Sequence, residues 1–192
     1  MARTKEFDPD TALLRAMELF WRKGYEATSM ADLVAHVGVS RAGLYSTFGD
    51  KHALYVRAYD RYLEEGVDFV GELSQPGPVL PVIRSLLTRY AEESATDSDR
   101  RGCLVVNTAV ELSPHDTVLA RRVEANWSLV ETALFSALTR ARAQGELSQG
   151  RDPRALARLL LVTLQGMRVV GKSSDDPARL RDAATEILTL LS

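Results

Sequence analysis

The chain has 192 residues, of which 45% are hydrophobic and 26% are charged, and its formal net charge is −2 at pH 7. This composition is ordinary for a globular protein of one or two domains. The single cysteine, Cys103, excludes an internal disulfide and fits a reducing cytoplasm, where we expect the protein to act. The N-terminal residues lack the apolar core of a signal peptide, and no apolar run reaches membrane-spanning length, so we expect no membrane partner.

The spacing of the apolar residues favours an all-α fold of about nine helices. The first helix is predicted to begin at Asp8, whose carboxylate accepts hydrogen bonds from free amides, with Pro9 at the first helical position. Leu13 and Phe20 belong to its apolar face, and Gly24 ends it.

Residues 25–52 predict two short helices joined by a glycine turn. Thr28 or Ser29 can cap the first of them, and Asp32 follows Ser29 at a spacing close to that of a capping box. Gly38 breaks this helix, and Ser40 caps the next one. Two such helices are typical of the helix-turn-helix, whose second helix enters the DNA major groove.

The second of these helices carries the residues that we expect to face DNA. Leu44 and Phe48 point inward together, which leaves their neighbours on the outer face. Gly43 costs about 1 kcal/mol against alanine in a helix, and close approach to a nucleic-acid backbone would explain it. Lys51 and His52 are expected to meet a phosphate. The predicted DNA-binding residues are Thr28, Ser29, Ser40, Arg41, Ala42, Gly43, Tyr45, Ser46, Thr47, Lys51 and His52.

The charge of this segment is balanced and forms no basic stripe, because residues 1–60 carry as many acidic as basic side chains. We expect Arg3, Lys5, Arg41 and Lys51 to converge on one side. General attraction to DNA should therefore be weak, and binding should depend on several contacts placed by a dimer.

The stretch LFWRKGYEATSMADLVAHVGVSRAGLYSTFGDKHAL resembles the DNA-binding domain of the TetR family of bacterial transcriptional repressors. It departs from the family pattern at Val34, at Ala42-Gly43 and at Thr47, and these departures concern the operator sequence rather than the domain. The match rests on Phe20, Gly24, Tyr25, Thr28, Ser29, Met30, Leu33, Gly38, Val39, Ser40, Leu44, Tyr45, Phe48, Lys51 and Leu54.

The rest of the chain predicts further helices, beginning with a long one from Lys51 to Leu73 that would link the DNA-binding module to the remainder. The later helices are predicted at about 82–95, 103–112, 116–144 and 154–170, and from 176 to the C-terminus. We predict a three-helix DNA-binding domain over residues 1–50 and a C-terminal effector-binding and dimerisation domain over 51–192.

The helix over 154–170 is apolar on nearly all sides, so most of its surface must be covered. With the last helix it would make a two-helix face for a four-helix bundle with a second copy, although an internal core alone is the other interpretation. The family resemblance also implies a dimer through the two C-terminal helices. The predicted interface residues are Leu156, Leu160, Leu164, Met167, Leu180 and Ile187.

Polar residues on otherwise apolar central helices either bond to one another or line a pocket. The resemblance implies an effector pocket among these helices, so we predict that an unknown small-molecule effector meets Cys103, Asn107, Glu111, Asn126 and Trp127. Cys103 follows Arg100 and Arg101 at a predicted helix start, which favours a thiolate, so thiol modification is a second possible signal. The alternative is a small buried cysteine.

One motif points to a different function. Residues 166–173, GMRVVGKS, match the phosphate-loop pattern G-x-x-x-x-G-K-[ST] of nucleotide-binding enzymes. That loop needs a buried strand before it, whereas the surrounding residues favour helix, so we interpret the match as accidental. Gly166 is instead expected to let helices pack closely, and Gly171 to end a helix.

We therefore predict a homodimeric regulator of transcription, not an enzyme. It would be a repressor that binds a near-palindromic double-stranded operator and is released by a small-molecule effector or by thiol modification. A DNA-packaging protein with little sequence preference is the third possibility. The three histidines have no metal-ligand spacing, so no metal or other cofactor is expected.

Overall fold

The computed structural model describes residues 7–191, and in this range every regular element is an α-helix, which confirms the all-α prediction. Arg3 and Lys5 lie outside the described residues. The ten helices are α1 (Pro9–Lys23), α2 (Met30–Val37), α3 (Arg41–Phe48), α4 (Lys51–Glu65), α5 (Phe69–Ser74), α6 (Leu80–Thr96), α7 (Leu104–Glu111), α8 (Thr117–Ala143), α9 (Pro153–Ser173) and α10 (Ala178–Thr189). None of them is long and apolar enough to cross a membrane.

The first three helices begin where the sequence predicted. Asp8 accepts from the amides of Asp10 and Thr11, Ser29 and Asp32 form a complete capping box, and Ser40 accepts from the amide of Gly43. Gly38, with a φ of +76°, ends α2 in a left-handed conformation that a side chain would disfavour.

The predicted helix from Lys51 to Leu73 is wrong, because the structure divides it into α4 and α5. Gly66 ends α4 in an extended conformation. Asp68 then caps α5 by accepting from the amide of Gly71 at 2.8 Å. This break raises the number of helices to ten in the described range.

Two hydrophobic clusters form the interior. The first joins α1–α4, which we call the head, to α7 and the first turns of α8 through residues such as Phe20, Tyr55 and Leu104. The second holds α5, α6, the rest of α8, α9 and α10, which we call the body. The proposed domain boundary at residue 50 stays a prediction, and the first cluster extends beyond it to Leu119 and Val123.

The six residues predicted for the dimer interface all lie in the core of the subunit itself. Leu156, Leu160, Leu164, Met167, Leu180 and Ile187 are buried within the second cluster. Because a side chain already buried in one chain adds no new buried area on association, these positions are corrected from interface to core.

Of the two glycines of α9, Gly171 has a role other than the one predicted, and Gly166 has no close neighbour in the described part of the chain. Gly171 lies inside the helix, where an added Cβ would come within 2.8 Å of Ser94 Cβ and 2.7 Å of its carbonyl oxygen, so this glycine allows α9 to pack on α6. An added Cβ at Gly166 would meet no atom within 4 Å, so no neighbouring helix of the same chain requires a glycine there.

Candidate DNA-binding and effector sites

The outer face of α3 presents polar side chains to solvent, as predicted for a reading helix. Arg41, Ala42, Tyr45 and Ser46 are exposed, and Tyr45 keeps 39% of its surface accessible. The Arg41 guanidinium lies 5.5 Å from the centre of the Tyr45 ring and 3.4 Å from its hydroxyl oxygen. Leu44 and Phe48 are buried beneath this face and fix its orientation.

Three of the predicted contact residues have structural roles in the turns. The hydroxyls of Ser29 and Ser40 cap α2 and α3. Gly43 does not require a nucleic-acid neighbour, since an added Cβ would lie 2.9 Å from a Val39 methyl carbon and 3.2 Å from the Phe7 ring. Tight packing within the head therefore explains this glycine.

Two predicted contacts are corrected by their burial. Thr28 is completely buried, and its hydroxyl donates to the Gly24 carbonyl at 2.6 Å, so it cannot touch DNA in this conformation. The Thr47 hydroxyl oxygen is also buried and has no hydrogen-bond partner among the described residues, so it does not point outward as predicted.

The first turn of α4 follows directly after the reading helix, and both its basic residues already have partners. The Lys51 ammonium lies 4.1 Å from the centre of the Tyr25 ring. His52 Nε2 lies 2.5 Å from Asp116 Oδ2 at the start of α8. Lys51 remains partly exposed beside α3, whereas the His52 imidazole is directed to a carboxylate, so the phosphate contact of Lys51 stays a prediction.

A cavity of about 540 Å³ lies between the two hydrophobic clusters. Residues of the first cluster, among them Met17, Tyr62 and Val105, form one wall, and Phe69 and Val130 of the second cluster form another. This volume falls in the range of small-molecule sites. Its lining comes from the head, α7 and the body together, so a ligand here would touch both clusters.

Both arginines of the cavity wall are paired with glutamates that also line it. Arg168 donates to the Glu93 carboxylate at 2.6 Å and lies 4.0 Å from the centre of the Tyr90 ring, and Arg89 donates to Glu72 at 2.8 Å. Burial opposes the charge of Arg168, but the hydrogen bond to Glu93 and the electrostatic effects of Tyr90, Cys103 and Glu93 together outweigh it, so the pKa of this guanidinium is raised. Burial also raises the pKa of Tyr90 to about 12.

Cys103 is the predicted effector residue that the structure places most clearly in this cavity. It is half-buried at the start of α7, and the Tyr62 hydroxyl donates to its sulfur at 3.5 Å. Burial is the main cause that raises the pKa of Tyr62, and the electrostatic effect of Cys103 raises it further. The hydroxyl therefore keeps its proton and acts as a donor. Asn126 also lines the cavity.

The other three predicted effector residues lie outside the cavity wall. Asn107 binds the Arg101 carbonyl and the Lys172 ammonium, each at 3.0 Å. Trp127 packs against the first cluster. Glu111 accepts from the amides of Tyr25 and Glu26 at 3.0 and 2.8 Å, so it joins α7 to the turn before α2.

The phosphate-loop match is helical throughout, because residues 166–173 form the last turns of α9. A phosphate-binding loop presents consecutive backbone amides, whereas these amides are committed to the helix. The structure therefore does not support the alternative of a phosphate-loop enzyme.

One side of α9 carries apolar residues that residues 7–191 of the subunit leave exposed. Leu159, Val162, Val169 and Val170 are exposed, and Val162 keeps 69% of its surface accessible. Together with Gly166 they follow the spacing of a helix face. We call this surface the α9 stripe.

Comparison with known families covers both parts of the chain. The family described as "Bacterial regulatory proteins, tetR family" matches residues 12–58, and "Tetracyclin repressor-like, C-terminal domain" matches residues 79–187. The chain belongs to the TetR family. It is thus a DNA-binding regulator of transcription, and the resemblance of the helix-turn-helix segment is confirmed.

Full-length relatives agree with this assignment. The chain is 36% identical to "Uncharacterized HTH-type transcriptional regulator YezE" of Bacillus subtilis, over all of both chains. It is 30% identical to "HTH-type transcriptional repressor ComR" of Escherichia coli, over 98% of this chain and 90% of the relative. A cysteine mutant of the TetR family regulator CifR, complexed with 26-base-pair operator DNA, superposes with a TM-score of 0.86 at 28% identity over the whole of both chains.

Most residues of the cavity wall were not predicted from the sequence of this TetR-family regulator. Trp21 from α1, Tyr62 from α4, Tyr90 from α6 and Arg168 from α9 meet there. Trp21 donates to the Gly102 carbonyl at 3.0 Å, and its ring lies edge-on to Tyr62. No short spacing connects these residues, so only their shared aromatic character on separate helices was available as a signal.

Proposed function

We propose that this regulator is a repressor that binds a near-palindromic operator as a homodimer. It is released when a ligand occupies the cavity between the two hydrophobic clusters. The observation that carries the proposal is the position of the cavity, with one wall on the head and α7 and the other on the body. A ligand releases DNA only through its different affinity for two arrangements of the heads. A cavity between the two clusters satisfies this requirement.

The α9 stripe supports the homodimer. Three exposed valines and a leucine on one helix face are costly in water, and a second copy of the same face would cover them. Gly166 lies at the middle of the stripe with no neighbour within 4 Å, so the backbone of a partner helix could approach closely there. We propose this surface, in place of the buried residues first predicted, as the dimer interface.

The conformer described here is proposed to be the DNA-binding one. It resembles the CifR chain that was bound to operator DNA, with a TM-score of 0.86. On this proposal α3 reads the major groove, with Arg41 and Tyr45 toward the bases and Lys51 toward a phosphate. The two half-sites would be about 34 Å apart, one turn of DNA, or a multiple of it.

Thiol modification is the second candidate signal. Cys103 lines the cavity with the Tyr62 hydroxyl as its neighbour, so a group attached to its sulfur would occupy the same space as a reversible ligand. Cys103→Ser should keep operator binding and lose the response to an electrophile or oxidant. A normal response in Cys103→Ser would leave the reversible ligand as the signal.

The activity itself is tested by selection from random double-stranded DNA with the purified protein. We expect one near-palindromic sequence to be enriched, and this sequence then serves as the operator. Arg41→Ala should alter the enriched bases, with Arg121→Ala, an exposed arginine of α8, as the matched control. Binding without enrichment would instead indicate the DNA-packaging function and contradict the proposal.

We further propose that the protein acts in the cytoplasm without catalytic activity of its own. The helical conformation of residues 166–173 removes the one sequence feature that pointed to nucleotide chemistry. Incubation with ATP should give neither measurable binding nor turnover, and either of them would revive the enzyme hypothesis.

A further inference from the structure

The first turn of α4 is tied to the start of α8 by a side-chain pair that the proposed function does not use. His52 Nε2 lies 2.5 Å from Asp116 Oδ2. Asp116 is the N-cap of α8, and its other oxygen accepts from the amides of Val118 and Leu119 at 2.9 and 3.0 Å. The capping oxygen and the imidazole-binding oxygen are therefore different atoms of one carboxylate.

The same corner of the chain holds the head at a second point. Glu111, at the end of α7, accepts from the amides of Tyr25 and Glu26 before α2. The Lys51 ammonium lies over the Tyr25 ring, between the two points. We call residues 111–116, with their two carboxylates, the corner clamp. It fixes the α1–α2 turn and the first turn of α4 against the rest of the molecule.

We propose that His52 is a positioning residue for DNA binding, which fixes the first turn of α4 through its ion pair with Asp116 so that Lys51 and α3 face the operator together. This inference rests on the proposed function, since it takes the clamped conformer as the one that binds DNA. It replaces the phosphate contact that the sequence predicted for His52.

The pair makes operator binding sensitive to protons. Burial opposes the charge of Asp116, but hydrogen bonds from the Leu119 amide and His52 outweigh it and lower the pKa of this carboxyl, so it stays anionic. An imidazole gains its charge between about pH 8 and 5. Since only a protonated imidazole forms an ion pair with this carboxylate, the pair is favoured at low pH. Operator affinity should increase from pH 8 to pH 6.

Several charged or titratable groups surround the contact between His52 and Asp116. One of them, His115, is a second imidazole and needs its own control. Asp50 and Lys51 lie on the same turn, Tyr25 and Glu26 lie before α2, and Glu111, His115 and Arg122 lie around the corner and on α8. His115 is exposed, so His115→Gln removes its imidazole and leaves the contacts of Glu111 and Asp116 in place.

A direct contact between His52 and a phosphate would also strengthen binding at low pH, so the sign alone does not separate the two roles. Asp116→Asn separates them, because asparagine still caps α8 but no longer attracts an imidazolium. The salt dependence of binding is a second readout, since loss of one phosphate contact lowers the slope of log K against log salt by about 0.9.

The experiment measures operator binding by the wild type, Asp116→Asn, His52→Gln and His115→Gln between pH 6 and 8, with the operator recovered by selection. At pH 6 we expect Asp116→Asn and His52→Gln each to weaken binding about twofold to fivefold, the value of a partly exposed ion pair. Both should lose the pH dependence and keep the salt slope of the wild type, whereas His115→Gln should match the wild type throughout.

Two results would overturn the inference: a wild-type pH dependence in Asp116→Asn, or a salt slope in His52→Gln that is lower by about 0.9. Either would return His52 to the role of a phosphate contact. Circular dichroism at each pH shows that the variants are folded. A failure of the proposed function is distinguishable, because the wild type itself would then select no operator.

Discussion

The head and the body differ in the polar groups of their interiors. Within the body, aliphatic side chains such as Leu87, Leu138 and Leu160 are packed against one another and fully buried. The head meets α7 through apolar contacts as well, but this contact also contains side-chain hydrogen bonds, such as Trp21 to Gly102 and the fully buried pair of Tyr55 and Thr108 at 2.8 Å. Close-packed interiors resist deformation, whereas a directional bond is lost after a small shift.

This difference indicates where the molecule can change shape. The cavity lies on the boundary between the two clusters. The hydrogen bonds between the head and α7 extend from Gly102, in the cavity wall, to Glu111 in the corner clamp. We therefore expect a ligand to shift the head relative to α7 and to leave the core of the body unchanged. Each of the variants below changes a contact of either the head or the body.

The largest effect should come from the α9 stripe, which belongs to the body but is not part of its core. Val162→Asp places a charge in the centre of the proposed dimer interface, so we expect a folded monomer in analytical ultracentrifugation. Operator affinity should fall by about 10²–10⁴-fold, because two linked half-site contacts become one. Val110→Asp is the matched control, since Val110 is 74% exposed on α7 and lies outside the stripe. A Val162→Asp dimer with normal affinity would refute this interface.

The second-largest effect should come from the hydrogen bonds that join the head to α7. Glu111→Ala removes a charged acceptor and leaves the amides of Tyr25 and Glu26 without it, so we expect the free energy of unfolding to fall by about 1.5–3 kcal/mol. Urea unfolding measures this change. Glu124→Ala, which removes an exposed glutamate of α8, should stay within about 0.5 kcal/mol of the wild type. Equal stability of the two variants would mean that the clamp does not hold the head.

The reading face of the head should separate base recognition from phosphate binding. Arg41→Ala should cost about 1–3 kcal/mol at one base position if this arginine reads guanine. Lys51→Ala should weaken all sequences alike and reduce the salt slope by about 0.9. Competition binding with operator variants at several salt concentrations measures both. A changed base preference in Lys51→Ala would show that the roles are wrongly assigned.

The smallest effect concerns the acid stability of the head. Asp32 accepts from the Lys23 ammonium and then from the Ser29 hydroxyl and amide, and these bonds lower the pKa of its carboxyl. A lowered pKa contributes stability that is present above about pH 4 and fades as the pH falls below it. Asp32→Asn should therefore be less stable than the wild type at pH 7, with a difference that shrinks toward pH 2. A difference independent of pH would contradict this origin.

The helices of the head could be predicted from sequence because their signals are local. Asp8, Ser29 and Ser40 each bond to an amide two or three residues away, so the type of residue and its spacing contain the information. The break in the predicted Lys51–Leu73 helix was missed, although Gly66 and Asp68 carried the end signal and the cap signal.

The interface and the cavity could not be predicted in the same way. Because α9 is apolar on nearly all sides, its sequence does not indicate that Leu160 faces the core and Val162 the solvent. The cavity combines Trp21, Tyr90 and Arg168 from helices far apart in the chain, and Glu111, which looked misplaced on α7, binds backbone amides instead of lining it. Such contacts follow from tertiary packing alone.

The central claim, that occupation of the cavity between head and body releases DNA, has a direct test that needs no known effector. Cys103 lines the cavity and is the only cysteine of the chain, so thiol reagents of increasing size place groups of known volume there. The measurement is operator affinity of the fully modified dimer. We predict a progressive loss that reaches about 5- to 150-fold for the bulkiest adduct, with no change in treated Cys103→Ser. A fully modified, folded dimer that binds the operator as tightly as the unmodified protein would contradict the account.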